Sequence, residues 1–264
     1  MTRVATAAPA APEPPDDLPA RVERLGLRGI IEHWDEFAEE PLLRRLVDIE
    51  EQNRGQRGLE RRLRNAKLGR FKLLADFDWA WPKNLDSGQI EELSQLNFID
   101  EAANVILVGP NGVGKTMIAK NLAYQAILKG HTARFITASE LLNDLAAQET
   151  GTALARKLRL YSHWKILVID EVGYLSTTSR HADLLFEVIN RRYQEKSIIL
   201  TTNKPFTEWN EVFPSSACVV TMIDRLVHKS EIIKIEADSY RLKEAKEREQ
   251  RRKAKRKTTR RQKK

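Results

Sequence analysis

The chain has 264 residues, 41% of them hydrophobic and 31% charged, with a net charge of +8. That is enough for a large core and one or two domains. No apolar run approaches the ~18–20 residues of a membrane span, and the single cysteine, Cys218, excludes an internal disulfide and Cys₄-type metal clusters and suits a reducing cytoplasm.

Residues 1–19 are Ala/Pro-rich, contain Asp16 and Asp17, and lack the leucine-rich core of a secretory signal. A disordered tail is expected there. From about Ala20 to Ala75 the composition is helical, with no strand signal. Leu25, Ile30 and Ile31, then Leu42, Leu43, Leu46, Val47 and Ile49, form apolar stripes near helical spacing. Arg57, Arg61 and Arg64 share one helical face, either solvated or in contact with phosphates. Phe77-Asp78-Trp79-Ala80-Trp81-Pro82 breaks the pattern and reads as a packed linker, with aromatics that dock two domains rather than stack bases. A short helix is expected over Asp86–Leu96, capped by Asp86 or Ser87.

Asn104–Val108 is a short β-branched run suited to a strand buried on both faces. Gly109-Pro110-Asn111-Gly112-Val113-Gly114-Lys115-Thr116 follows at once, and a helix former runs on to Gly130. This strand, glycine turn and helix form the complete phosphate-binding loop pattern. Glycines let backbone N–H groups approach phosphate oxygens, and the helix N-terminus adds donors and positive potential. Lys115 can reach the β- and γ-phosphates, and the Thr116 hydroxyl can ligate Mg²⁺.

Beyond the loop, strand and helix alternate, which implies an α/β fold with a parallel sheet. Strands are expected at Thr132–Thr137, Lys165–Glu171, Ser197–Thr202 and Ser230–Glu236. Helices are expected from Ser139-Glu140, over Ala153–Leu160, and over Ala182–Gln194, with Leu184, Leu185, Val188 and Ile189 inward. Ile166–Ile169 delivers Asp170 and Glu171 to the carboxyl edge of the sheet, where ligands bind in such folds. Asp170 would hold Mg²⁺, and Glu171 would orient and deprotonate the attacking water. The Ser197–Thr202 strand ends in Asn203, placed to hydrogen-bond that water and the γ-phosphate. The five histidines are scattered, so a zinc site has no support. Arg241–Lys264 carries 14 Lys/Arg against 3 Glu; +8 overall and +11 in this tail leave −3 for the rest. The placement points to a polyanionic partner, with a solubilising tail as the alternative.

Taken together, the loop, Ile166–Glu171, the strand ending in Asn203, and Ile223-Asp224-Arg225-Leu226 resemble an AAA+ ATPase. Asp76-Phe77-Asp78-Trp79, Arg192-Tyr193, Pro205-Phe206-Thr207-Glu208-Trp209 with Val212-Phe213, and Ser239-Tyr240-Arg241 resemble more closely the IstB-like transposition helpers of bacterial insertion sequences, relatives of the DnaC helicase loader. Asn111, Met117 and Ala237 depart from the usual residues at their positions. The resemblance implies a three-layer AAA+ core over 81–240 without a C-terminal lid domain. It also implies a helical DNA-binding or oligomerisation domain over 20–80 and a basic tail over 241–264. It further implies a cytoplasmic protein with ATP and Mg²⁺ as cofactors, double-stranded DNA as partner, and a homo-oligomer with ATP at subunit interfaces. The target would be chosen with a DDE-type transposase encoded by the same element. Arg225 sits where an arginine finger would act on a neighbour's ATP. A helicase loader, a small-molecule P-loop kinase and an ATP-binding scaffold with little turnover are the rival readings.

Overall fold

A capping aspartate followed by a proline starts the first helix. Asp17 accepts the Ala20 N–H at 3.2 Å, and Pro19 sits in the opening turn, where its missing donor costs nothing. The structure is a computed structural model describing residues 17–250, apart from 80, 83, 174–177, 214–215, 241 and 246–247. The expected disorder at 1–16 and most of the basic tail therefore lie outside the described residues. Leu18 and Pro19, expected in the tail, already belong to helix α1 (Leu18–Arg24), because Asp17 caps it and Leu18 is buried.

The chain divides into two units, 1–60 and 61–264. The first holds α1, α2 (Arg28–Glu32), α3 (Trp34–Phe37) and most of α4 (Pro41–Ala66). Its core sets Leu18, Val22 and Leu25 against Leu43 and Val47, with Ile30, Ile31 and Trp34 around them. Only one of the two α4 stripes is buried: Leu42, Leu46 and Ile49 are exposed. Arg21 clips α1 to α4 through Glu51 at 2.7 Å, and the guanidinium holds that carboxylate below its ordinary range.

The expected boundary after residue 80 falls inside the second unit. There Asn121, 2% exposed, donates to Lys72 O at 2.9 Å and accepts the Leu74 N–H at 3.0 Å, tying the segment to the core. Asp86 caps α5 (Ser87–Gln95) through Gly88 N–H, and α6 (Asn97–Asp100) leads to β1 (Asn104–Val108). Next come α7 (Lys115–Leu128), β2 (Ala133–Thr137), α8 (Ala138–Ala146) and α9 (Gly151–His163). The chain continues with β3 (Ile166–Val172), α10 (Ser179–Arg192), β4 (Ser197–Thr202), α11 (Trp209–Val212), α12 (Ser216–Val227) and β5 (Ser230–Lys234). α8 begins one residue before the expected Ser139, because Thr137 caps it in a capping box with Glu140.

All strand pairs are parallel, in the order β2-β3-β4-β1-β5. Period-two alternation sends Ile106, Leu167, Ile169, Ile198 and Leu200 into one core with α8, α10 and α12. Leu184, Leu185, Val188 and Ile189 of α10 are buried there, as the sequence implies. Val105, Leu107, Val168 and Ile199 take the other face, which α7 crosses. Helices on both faces of a parallel sheet give the expected three layers.

Two buried polar residues fix how the layers join. Asn104 donates to Leu226 O at 3.0 Å and accepts the Ile198 N–H at 2.9 Å, pinning the start of β1 to β4 and to α12. Arg192, 1% exposed, donates to the carbonyls of Tyr161, Trp164, Lys165 and Ser197. Burial pushes its pKa down to about 9, and the four acceptors hold the cation in place. Among the described residues, no helix is long and apolar enough to cross a membrane.

Candidate nucleotide site

The strand order places β4 between β1 and β3. The loop after β1, the acids of β3 and the polar end of β4 therefore share one edge of the sheet. Gly112 and Gly114 have φ of +81° and +102°, backbone that L side chains rarely adopt. Gly114 also starts α7, and no side chain caps that helix. Its opening residues, Lys115, Thr116 and Met117, line a cavity of about 390 Å³. Lys115 is 8% exposed, and its ammonium donates to Gly109 O at 2.6 Å and Pro110 O at 2.7 Å. Glycine backbone, an uncapped helix start and a lysine at the loop make a cradle for an anion.

The acidic pair does not end its strand. β3 continues to Val172, and its register against β4 shifts between Ile169 and Val172. A local bulge resolves the difficulty that neighbouring strand residues point to opposite faces. Asp170 turns inward, 3% exposed, and accepts Thr116 Oγ1 at 3.0 Å and Thr201 Oγ1 at 2.6 Å. Glu171 takes φ +62° and lines the cavity. Its backbone N–H donates to Thr201 Oγ1 at 2.9 Å. Asn203 lines the cavity too; its Oδ1 is buried without a hydrogen-bond partner. Thr116 and Asp170 thus present hard oxygen donors side by side, a set suited to Mg²⁺. The orphaned Asn203 oxygen fits a site that expects a polar guest.

The walls come from two distant segments. Phe77 and Trp81 line the cavity from before the sheet, and Tyr240 lines it from after β5. The linker aromatics thus enclose the site rather than dock two domains, because residues 61–80 belong to the second unit. Trp81 Nε1 donates to Asp238 O at 2.8 Å, and Lys243 pairs with Asp78 at 2.7 Å. The Lys243 ammonium also lies over the Trp81 ring, 4.4 Å from its centroid. The Tyr240 N–H donates to Gly112 O at 2.9 Å, so the later segment rests on the loop itself.

The family model of IstB-like ATP binding proteins matches residues 22–248. The chain belongs to the IstB-like ATP-binding protein family. This IstB-like chain is 40% identical over 191 residues to the IS21 putative ATP-binding protein of Pseudomonas aeruginosa, covering 72% of each chain. It is 36% identical over 239 residues to the IS5376 putative ATP-binding protein of Geobacillus stearothermophilus, covering 87% of this chain and 95% of the relative. Among solved structures, DnaI matches with a TM-score of 0.53 at 18% identity, covering 66% of this chain and 92% of DnaI. The replication initiator DnaA bound to AMPPCP and single-stranded DNA matches with a TM-score of 0.52 at 20% identity, covering 63% of this chain and 50% of that one. Those two likenesses show a shared fold.

Of the residues singled out in the sequence, Asn111 to Thr116, Glu171 and Asn203 line one cavity of the IstB-like fold. Gly109 and Pro110 act through the carbonyls that hold Lys115, and Asp170 lies beneath, reached through two threonine hydroxyls. Arg225 does not line the cavity. It sits on α12, bonded to Asn190 and stacked over Phe186 and Tyr193, with ring centroids at 4.9 and 5.7 Å. Thr201 is the residue that sequence reasoning missed. Its signal is a hydroxyl near the end of a fully buried strand, two places before Asn203.

Proposed function

We propose that this chain is a cytoplasmic, Mg²⁺-dependent ATPase of the AAA+ type that oligomerises on double-stranded DNA and assists a DDE-type transposase of the same element. The carrying observation is the convergence of Lys115, Thr116, Asp170, Glu171 and Asn203 at one sheet edge, beneath aromatic walls. The loop residues Gly109–Thr116 take the triphosphate, with Lys115 exchanging its carbonyl partners for phosphate oxygens. Thr116 and Asp170 would hold Mg²⁺, which would supply neutralisation of phosphate charge. Glu171 accepts a proton from the attacking water and Asn203 orients that water. Trp81 and Tyr240 enclose the base.

The insertion-sequence relatives support the transposase partner, since their names place them in mobile elements. The +11 tail and the exposed Arg57, Arg61 and Arg64 of α4 support a polyanion such as DNA. Arg225 lies outside its own cavity, consistent with a finger that acts on a neighbouring protomer's ATP.

The test is nucleotide binding and turnover, with and without DNA. Lys115→Ala is expected to abolish tight binding, and unchanged affinity overturns the site. Arg225→Ala is expected to bind ATP but lose DNA-stimulated turnover, since fingers in trans are worth about 10³–10⁵ in rate. Mixing the two variants restores part of the activity if the site is shared. A mixture that co-assembles and stays inactive refutes the shared site.

A further inference from the structure

One buried hydroxyl links both acids. Thr201, 0% exposed, donates to Asp170 Oδ1 at 2.6 Å and accepts the Glu171 N–H at 2.9 Å. The directions are fixed, because an ionised carboxylate can only accept, an amide N–H can only donate, and the hydroxyl has one proton. The bond pair falls where the β3–β4 register shifts and where Glu171 holds its left-handed backbone. Such a conformation persists in a non-glycine residue only when its surroundings determine it. Here the bulge turns the Glu171 N–H to a side chain, and that side chain is Thr201.

We propose that Thr201 is the positioning residue of the acidic pair, holding Asp170 inward against Thr116 and Glu171 outward into the cavity through one hydroxyl. The inference rests on the ATPase reading above and assigns a role that the loop and the acids alone do not specify. Thr116 also donates to Asp170, at 3.0 and 3.1 Å, so its hydroxyl serves both the carboxylate and the proposed metal position. Thr201 borders the same cavity but is fully buried, so its hydroxyl can keep Asp170 oriented while Thr116 engages a cation. A threonine that merely fills the core would be replaceable by the isosteric valine. This one would not, because valine takes the acceptor from the Glu171 N–H and the shorter of two hydroxyl donors from Asp170 Oδ1.

The experiment compares Thr201→Val with Thr201→Ser in the full chain. Three quantities are read: affinity for a fluorescent ATP analogue in chelator, the Mg²⁺ concentration needed for half-maximal binding enhancement, and steady-state hydrolysis. Thr201→Val is expected to bind the analogue in chelator as the parent does, because the loop lysine is untouched. It should need more Mg²⁺ and hydrolyse about 10²-fold more slowly, the scale of a misplaced catalytic group. Thr201→Ser keeps the hydroxyl and should restore both. In a Glu171→Gln background Thr201→Val should lower turnover little further, as residues that act as a unit are non-additive, yet still raise the Mg²⁺ requirement. A Thr201→Val protein that titrates Mg²⁺ and turns over like the parent overturns the proposal, as does a Thr201→Ser protein equally impaired. Should the valine variant not fold, Thr201→Ala is read against Thr201→Ser in the same assays. If the parent fails to bind the analogue, the ATPase reading fails; if the parent hydrolyses ATP and hydroxyl removal changes nothing, only this inference fails.

Discussion

The floor and the walls of the cavity are built by different means. The floor is a set of strand ends: the loop after β1, the bulge in β3 and the last residues of β4, all fixed by one parallel sheet. The walls are segments from opposite sides of the sheet in the sequence, joined by Trp81 to Asp238 and Asp78 to Lys243. Chemistry sits on the rigid part, and enclosure is left to segments held by a few polar and aromatic contacts. The difference teaches where each variant should act: floor changes on turnover, wall changes on affinity.

The largest expected effect is at the floor. Glu171→Gln should cost about 10²–10⁴-fold in hydrolysis, the contribution of a general base, with ATP affinity kept. Turnover close to the parent value would move the base to another residue. Gly114→Ala strikes where floor meets wall. Its φ is +102°, and a Cβ would come within 2.6 Å of Phe77 Cε2. Left-handed strain alone is about 1–3 kcal/mol, so the variant should lose affinity by about tenfold or more and melt several degrees lower. Equal loss in Gly114→Ala and in a Phe77→Ala/Gly114→Ala double variant would show that backbone strain, not the wall, is responsible.

Trp81→Ala removes the ring under Lys243 and the bond to Asp238. The expected result is a KM raised by about tenfold, the worth of a cation–π contact and a hydrogen bond together, with kcat unchanged. A fall in kcat at constant KM would break the division between floor and walls. Lys72→Ala should be smallest, a factor of about two or less, as exposed ion pairs usually are. Lys72 pairs with Glu244 at 2.6 Å, and that hydrogen bond raises its pKa. Because the folded value lies above the ordinary one, the pair contributes fully below the usual lysine range and is lost only as pH rises through the raised value. The pair should therefore add no pH dependence to ATP affinity near neutral pH, which titrating the parent and Lys72→Ala across that range checks.

The floor was legible because its information is local. Gly109–Thr116 specify their turn and helix within one stretch, and Ile166–Ile169 specify a buried strand by a short, β-branched apolar run. The bulge was not legible. Nothing in Ile169-Asp170-Glu171-Val172 announces a left-handed glutamate; that conformation depends on Thr201, which is local in space and 30 residues away in sequence. The walls were misread for the same reason. Phe77 and Trp81 have the composition of a domain-docking linker, and only their meeting with Tyr240 and Lys243 gives them a cavity to enclose. The α4 stripes show the converse limit: Leu42 and Leu43 are equally apolar, and helical spacing does not say which of the two the core will take.

The position of Trp81 also gives the protein a built-in optical reporter. Its indole lines the cavity, carries an ammonium 4.4 Å from its ring, and donates its N–H to a backbone carbonyl. Indole emission responds to nearby charge and to the polarity of its surroundings, and a guest beside this ring changes both. Trp209, by contrast, is fully buried in the core on α11 and should remain silent. Intrinsic fluorescence compared between the parent and Trp81→Phe would follow occupancy of the cavity in real time, on unlabelled protein.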